Sequence, residues 1–369
     1  MATDAVIYQR HPTADGQVII QATLNSERSL NALNQQMIDS LLPALEQWRD
    51  DDAVVAVLLD SVGDKAFCAG GDVVELYHAM ACAPGTKQPF VQQYFAKEYE
   101  LDYKIHTFEK PIIVWGNGFV MGGGLGLMAG ASHRVVTEHS KVAMPEITIG
   151  LYPDVGGTYF LSRMRNRIGL FLGLTAAQMN AADCLEVGLA DHYLAHQQKE
   201  SVIAQLTLAD WSRAKSANGL VTELLNQLDS NELAVGNLAS HRQVLDEVLA
   251  PTELADVIDA IAGIETEDKW LAKAQRALAH GSLLSAKILQ RQLDVGQSLS
   301  LAQCFELELS ISVHCGEFGE VTEGIRALLI DRDNAPQWKY QSLAQIDDSL
   351  IDRIFSPAWD DESHPLQLG

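Results

Sequence analysis

The arrangement of apolar and polar residues changes near residue 200 of the chain. Before that point, short apolar runs alternate with glycine turns, as where residues 54–59 precede the glycines at 70–71, and this alternation is typical of buried strands. Beyond about residue 195 the apolar residues recur at helical spacing. We therefore predict an α/β core, a helical region and an acidic, turn-rich tail, in residues 1–200, 201–340 and 341–369 respectively.

Several helices can be predicted from capping residues and apolar stripes. Asn34 precedes a stripe formed by Met37, Leu41, Leu45 and Trp48, although Pro43 lies inside it. Ser300 with Gln303 fits a capping box at the start of another helix. A third helix is expected over residues 88–108, where aromatic and aliphatic residues share one face.

Candidate chemistry is concentrated between Lys110 and Thr158. An apolar run ends there in Gly122, Gly123 and Gly124, and the sequence then favours a helix. The first N–H groups of such a helix lack intrahelical partners and favour an anion. The glycines could equally serve only a tight strand-to-helix turn. A second glycine turn at residues 67–72 favours a role in binding an oxyanion over a purely structural turn, because two turns can direct two N–H groups at one carbonyl oxygen.

Three carboxylates deserve separate consideration. Glu98 falls on the apolar face of the helix at 88–108, where an unpaired carboxylate would be costly to bury. It either has a function or lies on a solvated edge beside a lysine. Glu146 and Asp154 each follow a proline, and from spacing alone they could be a strand-end carboxylate and a helix N-cap.

Several segments resemble the crotonase (enoyl-CoA hydratase/isomerase) superfamily over roughly residues 5–195. They read AFCAGGD at 66–72, NGFVMGGG at 117–124, MPEITIGLYPDVGGTYFL at 144–161 and, nearer the N-terminus, LNSERSLNALNQQM at 24–37. Within it the chain is most similar to the 3-hydroxyisobutyryl-CoA hydrolase group. That similarity includes KEYELD at 97–102 and EGIRALLIDRDNAPQWK at 323–339.

The resemblance implies a β-β-α spiral core with an additional helical C-terminal region. It implies hydrolysis of a short β-hydroxyacyl-CoA thioester, 3-hydroxyisobutyryl-CoA, a step of valine breakdown. Glu146 and Asp154 would be catalytic, and the N–H groups of Ala69 and Gly123 would form the oxyanion hole. The expected substrate-binding residues are Glu98, Gly70, Gly71, Asp72 and Gly122.

One position departs from the pattern of the hydratases in this superfamily. They resemble this chain around the glycines but carry a second glutamate where this chain has Gly126. Glycine has no side chain that could hold a proton or orient water, so hydration by two glutamates is disfavoured. An isomerase that uses Glu146 alone, and a catalytically silent protein that binds acyl-CoA, stay open as alternatives.

Composition and charge narrow the choice of partners. Asp and Glu outnumber Lys and Arg by 49 to 26, and the net charge of −23 argues against nucleic acid and anionic membranes. An acyl-CoA substrate would need a local basic patch, for which Arg28 and Lys65 are candidates. The N-terminal residues lack signal or transit character, so a cytoplasmic enzyme is expected.

The sequence gives no indication of a metal or redox cofactor. Five scattered cysteines without CxxC spacing are expected to be reduced core thiols. His192 and His196 have helical zinc-ligand spacing, but no third ligand is evident. We therefore expect no cofactor beyond the CoA of the substrate itself. A homo-oligomer, trimeric or built from trimers, is expected from the resemblance.

Overall fold

The computed structural model describes residues 4–229, 233–359, 364–366 and 368. Its strands are β1 (Val6–Pro12), β2 (Val18–Leu24), β3 (Val54–Ser61), β4 (Ala66–Cys68), β5 (Ile112–Gly116), β6 (Phe119–Met121), β7 (His133–Val136), β8 (Lys141–Ala143) and β9 (His192–Tyr193). Its α-helices are α1 (Gln35–Asp50), α2 (Val73–Cys82), α3 (Pro89–His106), α4 (Gly123–Ala129), α5 (Gly157–Ser162), α6 (Ile168–Thr175), α7 (Ala181–Glu186), α8 (Lys199–Leu208), α9 (Ala217–Leu228), α10 (Asn237–Ser240), α11 (Arg242–Val248), α12 (Leu254–Ala262), α13 (Lys269–His280), α14 (Leu283–Gly296), α15 (Leu301–Phe318), α16 (Glu320–Ile325) and α17 (Asp348–Ile354).

The chain forms two compact units, and each is assembled from separate stretches. The first consists of the residues up to Gly71, Leu101–Val142 and Met179–Ser240. The second consists of Asp72–Glu100, Ala143–Gln178 and the residues from His241 onward. The units interleave along the sequence, whereas the predicted regions 1–200, 201–340 and 341–369 are consecutive. That consecutive division stays a prediction.

The first unit is built on a six-stranded sheet with the order β1-β2-β3-β5-β7-β9. Only β1 and β2 pair in the antiparallel sense, and the remaining neighbours are parallel. Every residue of β5 is buried, as expected for a parallel strand that is covered on both faces. Helices α8 and α9 contribute Leu206 and Leu225 to a core that also contains Trp115. A smaller sheet has the order β4-β6-β8.

The second unit is largely helical. It contains α2, α5, α6 and all helices from α11 onward. The predicted capping box at the start of α15 is confirmed, because Ser300 and Gln303 bond each other's backbone N–H groups. In the first unit, Asn34 caps α1 by accepting the N–H of Met37 at 2.9 Å. The α/β class with a helical C-terminal part is therefore confirmed.

The sequence pattern predicts one arginine-rich helix from Gly157 to Ile168, and this prediction is wrong. Helix α5 ends at Ser162, and α6 starts only at Ile168. Between them Asn166 and Arg167 adopt left-handed conformations with φ of 54° and 57°, which no α-helix tolerates. This reversal lets the Arg167 guanidinium donate to the Leu249 carbonyl at 2.9 Å. The expectation of core thiols also fails at one position, because Cys82 at the end of α2 is exposed.

Candidate active site

Two glycine turns of the first unit lie side by side. Strands β4 and β6 pair in parallel, with Cys68 opposite Val120, so the turns that follow them leave the small sheet together. A Cβ atom on Gly124 would stand 2.2 Å from the Cys68 carbonyl oxygen. Gly70, at φ +117°, lies close to the carbonyl oxygen of Met121. Glycine is therefore required at 124, because no larger residue allows this approach.

The second turn opens directly into α4. Gly122 is the N-cap at φ 47°, and its carbonyl accepts the N–H groups of Leu125 and Gly126 at 2.7 and 3.1 Å. Gly123 is the first helical residue, so its N–H has no acceptor within the helix. This N–H suits a ligand oxygen in the way the sequence predicts, and the oxyanion role of Gly123 stays a prediction. Gly126 is buried one turn further on.

The first turn is held by a neighbouring loop. Leu30 and Asn31 both have a φ of 55°, and the Leu30 carbonyl accepts the N–H of Ala69 at 3.1 Å. A substrate oxygen that used the Ala69 N–H would therefore compete with Leu30. The N–H of Leu33 donates to the Gly70 carbonyl at 2.8 Å, which fixes the turn from the same side.

Asn31 is a positioning residue that the sequence did not reveal. Its buried side-chain amide donates to the carbonyls of Val62 and Ala66 at 2.9 and 3.0 Å, and its oxygen accepts the N–H of Ser26 at 2.9 Å. The bond to Ala66 ties the loop to β4 immediately before the glycine turn. The only signal in the sequence was an asparagine inside a resembling motif.

Other predicted substrate-binding residues have structural tasks. Gly71 forms an isolated bridge with Leu33. The Asp72 carboxylate caps α2 by accepting the N–H of Val74 at 3.3 Å. Arg28 and Lys65, the candidates for binding CoA phosphates, are both exposed. Substrate contacts of these residues stay predictions.

The three predicted site carboxylates, Glu98, Glu146 and Asp154, are buried in the second unit. Glu98 lies in α3, Glu146 opens a 3₁₀ turn that ends at Ile149, and Asp154 follows that turn just before α5. Their exposed fractions are only 2%, 4% and 4%, so the solvated-edge interpretation of Glu98 is wrong. Asp154 is not the N-cap of α5 either, since Gly156 occupies that position.

Burial and mutual repulsion control the ionisation of these acids. Desolvation raises the pKa of Glu98 and of Glu146 well above the ordinary value, and the charge of Asp154 raises both further. Desolvation also raises the pKa of Asp154, to about 6, against the opposing effect of a hydrogen bond from Tyr99. Burial therefore favours the protonated forms of Glu98 and Glu146, and a negative charge on Asp154 favours them further.

A chain of hydroxyl groups supports Asp154. The phenol of Tyr99 donates to Asp154 Oδ2 at 2.6 Å and lies 2.7 Å from Ser312 Oγ. Ser312 Oγ in turn lies 2.9 Å from the hydroxyl of Tyr152, which donates to the Glu308 carbonyl at 2.7 Å. All four side chains are buried. The sequence gave no signal for this chain, because its members are far apart along the polypeptide.

The loop that carries Asp154 is strained and held from outside. Val155 has a φ of 51°, which is costly for a β-branched residue. The Glu308 carboxylate accepts the N–H groups of Gly156 and Thr158, both at 2.8 Å. Gln292 donates to the Pro153 carbonyl at 2.5 Å. These bonds from α14 and α15 fix both sides of the strained residue.

The turn that carries Glu146 is held by close backbone packing. A Cβ atom on Gly324 would stand 2.3 Å from the carbonyl carbon of Ile149, and one on Gly150 would stand 2.5 Å from the Glu320 carbonyl oxygen. The Ser282 N–H donates to the Ile147 carbonyl at 3.1 Å. In the part of the chain that the structure describes, Glu146 Oε2 is buried without a hydrogen-bond partner. That oxygen is therefore available to substrate or water.

Comparison with known proteins identifies the family. The profile described as enoyl-CoA hydratase/isomerase matches residues 19–355, which is most of the chain. The chain belongs to the enoyl-CoA hydratase/isomerase family. Among its curated relatives in this family, mitochondrial 3-hydroxyisobutyryl-CoA hydrolase from Danio rerio is 34% identical over 336 residues, covering 90% of this chain and 86% of the relative. The Homo sapiens protein of the same name is 31% identical, covering 90% and 85%.

Solved structures of the family confirm the crotonase fold. An enoyl-CoA hydratase from Rhodobacter sphaeroides 2.4.1 superimposes with a TM-score of 0.81 at 31% identity, covering 96% of this chain and 98% of that one. A carnitinyl-CoA dehydratase from Mycobacterium thermoresistibile gives a TM-score of 0.83 at 32% identity, covering 96% and 97%. Both matches include the helical C-terminal part, so this part belongs to the fold that the three chains share.

Proposed function

We propose that this chain hydrolyses a short β-hydroxyacyl-CoA thioester, with 3-hydroxyisobutyryl-CoA as the preferred substrate. The observation that carries the proposal is the buried cluster of Glu98, Glu146 and Asp154, combined with Gly126 at the place of the second hydratase glutamate. Relatives that carry the hydrolase name align over 90% of the chain. The products would be 3-hydroxyisobutyrate and CoA.

The proposed chemistry uses main-chain donors and buried acids. The N–H groups of Gly123 and Ala69 would stabilise the thioester oxygen as the carbonyl carbon becomes tetrahedral. Loss of one such donor typically costs about 3 kcal/mol of barrier. Among the acids, Glu98 would bind the polar end of the short acyl group.

Glu146 has two possible routes in this reaction. It can take a proton from the attacking water, or its carboxylate can attack the thioester carbon to form a mixed anhydride that water then hydrolyses. Both routes require ionised Glu146, whereas burial and the charge of Asp154 raise the pKa of Glu146. In this proposal Glu146 passes its proton to Asp154 before it acts, because the charge of Asp154 is the one that most strongly opposes ionisation of Glu146. Asp154 would also orient the water or the substrate hydroxyl.

The test compares two reactions of the purified protein. A thiol reagent reports CoA released from 3-hydroxyisobutyryl-CoA, and ultraviolet absorbance reports hydration of crotonyl-CoA. We expect CoA release and negligible hydration. Fast hydration without CoA release would contradict the proposal. Single turnover in heavy-oxygen water separates the two routes of Glu146, because only the mixed anhydride places label in the enzyme carboxylate.

Hydration is the second candidate function, and one observation favours it. The two solved structures compared above are an enoyl-CoA hydratase and a carnitinyl-CoA dehydratase. In such a reaction Asp154 would have to replace the second glutamate that Gly126 cannot supply. The paired assay described above distinguishes this function, since hydration leaves the thioester intact and releases no thiol.

The setting of the reaction is part of the same proposal. We infer that the chain needs no cofactor beyond the CoA of its substrate, and that it acts as a homo-oligomer in the cytoplasm. The curated relatives have the word mitochondrial in their names, so cellular fractionation is the appropriate test of location. Within the described ranges, no helix combines the length and the apolar character needed to cross a bilayer.

A further inference from the structure

The hydroxyl chain at Asp154 has more contacts than protons. Four contacts of hydrogen-bond length join Asp154 to Tyr99, Tyr99 to Ser312, Ser312 to Tyr152, and Tyr152 to the Glu308 carbonyl. Three hydroxyl groups bring three protons. A carbonyl oxygen can only accept, so Tyr152 must donate to Glu308. The remaining two protons, on Tyr99 and Ser312, serve three contacts.

The direction of the chain therefore depends on the state of Asp154. When Asp154 is ionised, Tyr99 donates to the carboxylate. Ser312 then donates to Tyr99, whose oxygen is the better acceptor because its own proton is bound to a charged group, and the contact between Ser312 and Tyr152 has no proton. When Asp154 is protonated, it brings the fourth proton. Asp154 then donates to Tyr99, Tyr99 to Ser312, and Ser312 to Tyr152, so that every contact has one proton.

We propose that Tyr99 and Ser312 form a two-position hydroxyl switch that keeps Asp154 hydrogen-bonded both as a carboxylate and as an acid. Both are positioning residues in this account, since they act through Asp154. Gain or loss of the Asp154 proton, together with rotation of two O–H bonds, converts one arrangement into the other. No heavy atom has to move.

The switch matters for the ionisation of Asp154 because of the groups that surround this residue. The groups that face it are Glu98 and Tyr99 from α3, Glu146 from the 3₁₀ turn, Tyr152 before the loop, and Glu308 and Cys315 from α15. All of them are acidic or neutral. With no cation among these groups, ionised Asp154 is stabilised by hydrogen bonds rather than by ion pairs. A hydroxyl donor that reorients when Asp154 changes its charge therefore has a large effect on the ionisation of Asp154.

The catalytic consequence rests on the proposed function. When Glu146 is to act as a carboxylate, its O–H bond breaks and the proton adds to Asp154. Tyr99 then turns its O–H from Asp154 to Ser312, and Ser312 turns its O–H from Tyr99 to Tyr152. The negative charge now lies on Glu146, beside an acid that is still fully hydrogen-bonded. The reverse rotation returns the proton when the product leaves.

The test measures the titration of Asp154 itself, without substrate. Infrared difference spectra of the full-length protein follow the band of the protonated carboxyl against pH, and Asp154→Asn identifies that band by removing it. The wild-type midpoint is expected near the pKa of about 6. Tyr99→Phe removes two hydrogen bonds from each arrangement, but the bond to the carboxylate is charge-assisted and the stronger one, so the midpoint should rise by about one unit.

Ser312→Ala should shift the midpoint the other way. It removes one hydrogen bond from the ionised arrangement but two from the protonated one, so the midpoint should fall by about half a unit. Ser310→Ala is the matched control on the same helix. The Ser310 hydroxyl bonds only weakly, at 3.4 Å, to the Glu306 carbonyl, and its removal should leave the midpoint unchanged.

Opposite shifts in the two variants support the switch. An unchanged midpoint in both, or an upward shift in both, would overturn it, because Ser312 would then only support Tyr99 as a fixed donor. If Tyr99→Phe does not fold by circular dichroism, the direction of the Ser312→Ala shift alone decides. The measurement needs no acyl-CoA, so the switch and the proposed hydrolysis can fail independently.

Discussion

The phenol of Tyr99 donates a hydrogen bond of 2.6 Å to Asp154 Oδ2, and this bond joins the middle of α3 to the loop before α5. It opposes the desolvation that otherwise raises the pKa of Asp154. Because the charge of Asp154 raises the pKa of Glu98 and of Glu146, the bond also affects the ionisation of these two acids. The ionisation of the cluster therefore depends on a residue outside the cluster.

The buried charge should reduce the stability of the protein. The pKa of Asp154 rises on folding from an ordinary 3.8 to about 6, so the folded protein binds the extra proton between these values and loses stability as the pH rises through about 6. We expect Asp154→Asn to be more stable than wild type at pH 7.5 by roughly 2 kcal/mol. The difference should disappear below about pH 4. Urea unfolding at both pH values measures it, and an equal difference at both would contradict the account.

Glu308→Gln should disturb the loop of Asp154. Glutamine has one acceptor oxygen, so one of the N–H groups of Gly156 and Thr158 would lose its bond next to strained Val155. We expect a loss of about 1–3 kcal/mol in unfolding free energy and a fall in kcat that exceeds any rise in KM. Glu306→Gln is the control, because Glu306 is half-buried and lies two residues earlier on the same helix, α15. A wild-type kcat in Glu308→Gln would show that the loop does not need this carboxylate.

Gly324→Ala should displace the turn of Glu146. The new Cβ would meet Ile149 main-chain atoms at 2.3 to 2.5 Å, and backbone cannot rotate away as a side chain does. We expect a fall in kcat of at least about tenfold and a lower Tm. Gly316→Ala is the control, since its Cβ would meet only side chains of Val91 and Met80, at 3.2 Å or more. Equal activity in the two variants would show that α16 does not position Glu146.

Asn31→Ala should loosen the first glycine turn. It leaves the Val62 and Ala66 carbonyls and the Ser26 N–H without their partner, in a buried place. We expect a loss of about 2–4 kcal/mol in unfolding free energy. Asn25→Ala removes one exposed bond, to the Asp4 carbonyl, and should cost under about 1 kcal/mol. Denaturant unfolding compares the pair, and similar losses in both would contradict a special role of Asn31.

Local patterns were sufficient to predict most of the elements. The Asn34 cap, the Ser300 capping box and the glycine turn into α4 depend on residues a few positions apart, and all three are present. The failure at residues 163–167 has a tertiary cause. The left-handed Arg167 reaches the Leu249 carbonyl, a contact that no helical pattern can reveal.

The candidate site was only partly predictable for the same reason. Motifs located Glu146 and Asp154, and an unexpected acid on an apolar stripe located Glu98. The groups that set their behaviour lie far away along the chain: Ser312 and Glu308 come from α15. A serine and a glutamate on an amphipathic helix look ordinary in sequence. Only the fold shows that they support the loop of Asp154.

The most direct test of the central claim is the rate of CoA release from 3-hydroxyisobutyryl-CoA by wild type and by Glu146→Gln. The substitution keeps the size of the side chain and removes its ability to accept a proton or attack a carbonyl. We predict that wild type releases CoA and that Glu146→Gln is slower by at least about a hundredfold. An equal rate in both proteins, or no release by either, would contradict thioester hydrolysis by the buried acids.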